Sequence, residues 1–92
     1  MIKKHIFNFQ SIHKYYEKEC LGIKNNTVRY IDLDDNRFTQ LIAWMETGWN
    51  DGDIKIKITN ALCTDTFFVR DIRDICIWGD LMIITWNHKG DK

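Results

Sequence analysis

Lys24, Thr27 and Arg29 fall in one short run, Gly22-Ile23-Lys24-Asn25-Asn26-Thr27-Val28-Arg29, and their side chains could carry chemistry together. A desolvated lysine near another cation loses basicity and can activate a threonine hydroxyl as a nucleophile. An arginine fork can hold a carboxylate, a phosphate or a developing oxyanion. Without a base of tuned pKa, the same trio is a pocket for an anion or a nucleobase. The structural alternative makes Lys24 and Arg29 solvated charges paired with Asp32, Asp34 or Asp35, and Thr27 a β-branched strand residue.

Local structure must bring these groups together. Ser11 can cap a helix over residues 11–21, in which Ile12, Tyr15, Tyr16 and Cys20 form one core-facing stripe and Gly22 supplies the left-handed residue that ends it. Thr27 to Ile31 reads as a strand, so Thr27 and Arg29 share a face while Lys24 lies in the loop that delivers the chain to it. Ahead of the helix, Ile2 to Phe9 has the alternation of a half-buried strand. Asp34 or Asp35 can cap a second helix over 35–47, with Phe38, Leu41, Ile42 and Met45 at helical spacing and Gly48 just past its end.

After the turn signal Trp49-Asn50-Asp51-Gly52-Asp53, residues 54–60, 66–78 and 81–86 read as three consecutive antiparallel strands. A bulge near Asp71 would return Ile72 and Ile75 to the core, and Gly79-Asp80 is a Gly-first hairpin loop. The order predicts an α+β fold, a small curved antiparallel sheet or small barrel flanked by two helices. Its core draws on Phe38, Leu41, Ile42, Met45, Ile54, Ile56, Ile58, Ile83 and Trp86. Of the remaining tryptophans, Trp44 suits the core, and Trp49 and Trp78 sit beside turn signals.

A single domain over 1–92 is expected, because 92 residues and 11.0 kDa lie below the size at which chains divide. The apolar share of 45% with twelve aromatics excludes global disorder. Thirteen basic and thirteen acidic side chains leave no net field, so any anionic partner must be met locally. The charge is uneven: residues 1–29 carry plus four and residues 30–53 minus five. No apolar run approaches the roughly 20 residues of a spanning helix, and none near the start resembles a signal peptide, so a cytoplasmic protein with no membrane contact is expected. Cys20, Cys63 and Cys76, odd in number and widely spaced, read as reduced, mostly buried thiols. No C-x-x-C pair exists and His5, His13 and His88 lie far apart, so no metal and no cofactor is expected.

The helix ending in Gly22-x-Lys24, the threonine three residues on, the arginine two after that and Gly52-Asp53 opening a strand together resemble the ASCH domain, a small relative of PUA-type β-barrels. The matching order of elements covers nearly the whole chain. The resemblance implies a PUA-like β-barrel in which the G-x-K-x-x-T-x-R element lines a cleft. ASCH-like proteins are thought to bind RNA or nucleotides, and one branch hydrolyses amides of modified cytidine with the motif lysine and threonine as catalytic pair and a glutamate from farther along. Carried over, Lys24 is the activating base, Thr27 the nucleophile and Arg29 the anion or oxyanion holder. The chain departs from the family in having no Glu after Glu46, which leaves the acid role to an aspartate such as Asp71 or Asp74. Asn25-Asn26 also stand where the family more often has Thr or an apolar residue.

Three functions stay open. The first is a module that binds RNA, a nucleotide or a modified nucleoside through Lys24, Thr27 and Arg29. The second is an amidohydrolase of acylated cytidine with Lys24 and Thr27 catalytic. The third is a small accessory protein of a phage or mobile element that binds another protein, including a counter-defence inhibitor; small size, neutral charge, absence of proline and Ile, Asn, Lys-rich composition suggest it.

Overall fold

The computed structural model describes residues 5–87; Ile2, Lys3 and Lys4 of the expected first strand lie outside them. Seven elements follow in chain order: β1 (His5–Ser11), α1 (His13–Cys20), β2 (Asn26–Tyr30), α2 (Asn36–Thr47), β3 (Ile54–Asn60), β4 (Phe67–Trp78) and β5 (Leu81–Trp86). The strands form one curled sheet in the order β1-β3-β4-β5-β2, giving the expected α+β fold with a curved sheet. The sheet is mixed rather than purely antiparallel. β1 and β3 pair in parallel, from His5 opposite Ile54 to Ser11 opposite Asn60, because α1, β2 and α2 intervene and return the chain to the same end.

Alternation decides which face is inside. Phe7 and Phe9 on β1, Ile54, Ile56 and Ile58 on β3, and Met82, Ile84 and Trp86 on β5 are buried, while the residues between them are partly or fully exposed. Met82, Ile84 and Trp86 share a parity that excludes Ile83. That side chain, expected in the core, is only partly buried and stands opposite Val28 and Cys76 on the outer face.

β4 is the corner of the sheet. Residues 67–71 pair with β3 and residues 72–78 pair with β5, with a register shift between Ile72 and Asp74 that leaves Arg73 unpaired. This extra residue changes the parity of the strand, so Ile72 and Ile75 both point inward, as the bulge expected near Asp71 requires. Gly79, at φ 61°, makes the two-residue return to β5.

Two helices cover the inner side. α2 begins at Asp35, whose side chain accepts the Arg37 backbone N–H at 2.9 Å, and Gly48 at φ 78° follows its end. Its Phe38 and Leu41 are buried, and Ile42, Trp44 and Met45 pack at the margin. α1 differs from its expectation in two ways. Ser11 ends β1 instead of capping the helix, Ile12 taking that place without a side-chain bond, and Ile12 and Tyr15 are exposed while Tyr16 and Glu19 are buried. Cys63 and Cys76 are exposed, contrary to the buried thiols expected; only Cys20 is partly covered. Trp49 is half-buried and donates through Nε1 to the Ile72 carbonyl at 2.9 Å, whereas Trp78 is exposed. No helix among the described residues is long and apolar enough to cross a membrane.

Leu41 is 0% exposed, so Leu41→Ala is expected to cost roughly 2–5 kcal/mol in denaturant unfolding. Ile83→Ala is expected to cost less. Arg37 holds the Asp35 carboxyl below its ordinary range by hydrogen bonds from its side chain and backbone. Stability from this pair is therefore present above the unfolded carboxylate value, about 3.9, and lost as pH falls through the lower folded value. Asp35→Asn keeps the cap, so the stability difference between wild type and this variant should be full at pH 7 and shrink in acid; a difference constant down to the acid range would refute the assignment.

Candidate functional site

The loop between α1 and β2 is held by the helix it leaves. Gly22 takes φ 85°, and the backbone N–H groups of Ile23 and Lys24 both return to the Lys18 carbonyl, at 2.9 and 3.1 Å. This places Lys24 beside the last turn of α1, where its Nζ donates to Glu19 Oε2 at 3.0 Å and to the Asn26 carbonyl. An ammonium has three donors, so one remains for a ligand. Glu19 is 1% exposed, and its other oxygen, Oε1, is buried with no hydrogen-bond partner.

Two residues into β2, Thr27 is buried, and Arg29 follows on the same face. Arg29 Nε donates to Thr27 Oγ1 at 2.9 Å. Its Nη2 crosses to β1, donating to the Gln10 carbonyl at 2.8 Å and to Ser11 Oγ at 3.3 Å. The guanidinium also lies 5.0 Å from the centre of the Phe9 ring. Burial pushes the Arg29 pKa down, the Glu19 carboxylate opposes that shift, and the Arg37 cation adds to it. Arginine keeps its charge regardless, so the effect is a stored electrostatic cost.

These residues surround a cleft of about 440 Å³ between α1 and the start of β2. Lys24, Thr27, Arg29 and Glu19, with Gln10 and Ser11 at the end of β1, supply its polar groups, and Ile12, Tyr15 and Val28 its apolar walls. All three residues singled out in the sequence thus line one concavity. They are not all bonded to one another: Arg29 contacts Thr27, but the bonds of Lys24 run to Glu19 and Asn26. The alternative pairing of Lys24 and Arg29 with Asp32, Asp34 or Asp35 does not form; Asp35 binds Arg37 instead.

The carboxylate of the cleft comes from a position that sequence reasoning missed. Asp71 pairs with Lys55 and Asp74 is exposed on β4, and neither lines the cleft. Glu19 does, from the helix just before the motif. The signal was present, since 12, 15, 16 and 19 follow the spacing i, i+3, i+4, i+7 and put this Glu on the apolar stripe. Among the described residues no group of His, Cys, Asp and Glu could hold a metal ion. The chain matches no protein-family model, no curated protein and no solved structure.

Removing Lys24 strands a buried carboxylate. Lys24→Met is expected to lower unfolding stability by about 2–4 kcal/mol, allowing for the partial exposure of Lys24. Glu19→Leu added to it should restore most of the loss, because an apolar pair no longer has a charge to desolvate. Equal destabilisation by the single and double variants would show that the ion pair is not the source.

Proposed function

We propose that the protein is a small cytoplasmic ASCH-like, PUA-related module that binds RNA, a nucleotide or a modified nucleoside in the cleft of Lys24, Thr27 and Arg29. The observation that carries this reading is the donor and acceptor set of the cleft. Glu19 Oε1 is an acceptor without a donor, Lys24 keeps one donor, and Thr27 keeps its hydroxyl proton because its oxygen already accepts from Arg29. A nucleobase edge offers an amino group beside ring and carbonyl acceptors, the complement of that set. The Tyr15, Ile12 and Val28 walls offer an apolar surface to its face.

Binding fits this geometry better than hydrolysis. A threonine nucleophile needs a base within hydrogen-bond reach, and the Lys24 amine is engaged by Glu19 and the Asn26 carbonyl instead. The amidohydrolase reading gains a carboxylate in Glu19 but lacks that contact.

A second reading, a phage or mobile-element accessory protein that works by protein binding, draws support from the outer sheet face. There Tyr30 and Trp78, 79% and 74% exposed, flank Leu81 in register, and Val28 and Cys76 flank Ile83. Monomers commonly leave apolar side chains exposed singly, whereas a contiguous row marks contact surfaces.

Titration of the protein with short oligonucleotides, cytidine and N-acylated cytidines tests the first reading. Thr27→Val preserves strand shape and removes one hydroxyl; it should weaken binding by about three- to tenfold. Turnover of an acylated cytidine that this variant abolishes would establish the hydrolase instead. If wild type neither binds nor hydrolyses any of them, the cleft is not a nucleobase site and the Tyr30, Trp78 face becomes the working surface.

A further inference from the structure

Beside the cleft lies a second concavity of about 630 Å³, which shares Gln10 and Arg29 with it and adds Arg37, Lys57 and Thr59. The two hollows therefore adjoin at Gln10 and Arg29. No acidic side chain lines the second one. From its geometry, and resting on the nucleobase reading of the cleft, we infer that Arg29, Arg37 and Lys57 form a phosphate subsite, so that the ligand is a nucleotide whose base enters the cleft and whose phosphate crosses Arg29 into the adjoining hollow.

Charge and positioning carry the inference. The Arg37 and Arg29 guanidiniums lie 4.3 and 5.0 Å from the centre of the same Phe9 ring. Each is held by a carbonyl of β1: Arg37 donates through Nη1 to Asn8 and Arg29 through Nη2 to Gln10. Two like charges are thus fixed side by side with the donors they have left over. Lys57, on the neighbouring strand opposite Asn8, rests its ammonium 4.2 Å from the Phe67 ring centre and makes no ion pair among the described residues. Its strand neighbour Lys55, by contrast, is neutralised by Asp71. Of the three cations only Arg37 is in an ion pair, with Asp35; the Glu19 carboxylate that acts on Arg29 is itself paired with Lys24. A phosphate dianion matches the remaining two positive charges, and guanidinium forks suit its oxygens.

The test compares the four ribonucleosides, their 5′-monophosphates, pyrophosphate and a hexanucleotide of single-stranded RNA by calorimetric titration. Monophosphates should bind about ten- to a hundredfold more tightly than nucleosides, an advantage that shrinks with added salt. Lys57→Gln and Arg37→Gln should each remove most of that advantage and leave nucleoside affinity unchanged; if Arg37→Gln unfolds, Lys57→Gln alone decides. A hexanucleotide that binds more tightly than every monophosphate identifies the phosphate as that of an RNA strand. Nucleosides that bind as well as monophosphates, or a phosphate advantage that survives Lys57→Gln, overturn the subsite while the cleft reading stands. Pyrophosphate binding that depends on Lys57, with no binding of any nucleoside or nucleotide, overturns the cleft reading and reduces the subsite to a plain anion site. No binding by any probe overturns both.

Discussion

One guanidinium joins the two free edges of the sheet. In the strand order β1-β3-β4-β5-β2, β1 and β2 have a strand on only one side, and Arg29 on β2 reaches the Gln10 carbonyl and Ser11 hydroxyl on β1. A ladder of backbone bonds between these edges would complete a barrel and leave no gap. A long side chain spans the distance instead, and the gap beneath it is the cleft. Closure of the curl and existence of the cleft are therefore one arrangement, which is why Arg29 both ties the sheet edges and lines the cleft. The cost of desolvating it is offset by bonds to Thr27, Gln10 and Ser11 and by its seat on Phe9.

Much of this was legible where the signal is local. The alternation of β3, the bulge that restores Ile72 and Ile75, the turn at Gly79 and the Asp35 cap all follow from residues within a few positions of one another. That Thr27 and Arg29 share a face follows from strand geometry alone. What escaped was non-local or ambiguous. The Leu81–Ile84 run has no polar residue to mark parity, so Ile83 could be exchanged for Met82 and Ile84. Parallel pairing of β1 with β3 depends on a crossover of more than forty residues, between Ser11 and Ile54. Ser11 has the right type and place for a helix cap, yet Arg29, eighteen positions away, takes its hydroxyl. Glu19 escapes sequence reading because a charged residue on a helix reads as solvent-facing; its burial makes sense only once Lys24 has folded back on it.

The uneven charge along the sequence resolves into short-range pairs rather than into contact between a basic and an acidic segment. Glu19 answers Lys24 from five residues away, and Asp35 answers Arg37 from two. Arg70, buried on β4, has no such partner among the described residues. Its guanidinium lies 4.6 Å from the centre of the Phe68 ring and donates to the Val69 and Cys20 carbonyls. The Cys20 contact puts a cation at the carbonyl end of α1, where the helix dipole favours one.

The two arginines that bind the carbonyls of β1, Arg29 from β2 and Arg37 from α2, also bear on how the molecule behaves in a crowd. An uncovered edge strand offers its backbone to any passing chain, and such edges start strand addition and aggregation unless something blocks them. Here the Asn8 and Gln10 carbonyls, which alternate along the free side of β1, are already occupied by Arg37 and Arg29. A foreign strand would have to displace two anchored cations to dock. If the cleft and its anion subsite bind as proposed, solubility and recognition draw on the same two side chains, and poor behaviour in solution of a variant that loses both is itself a symptom of a damaged site.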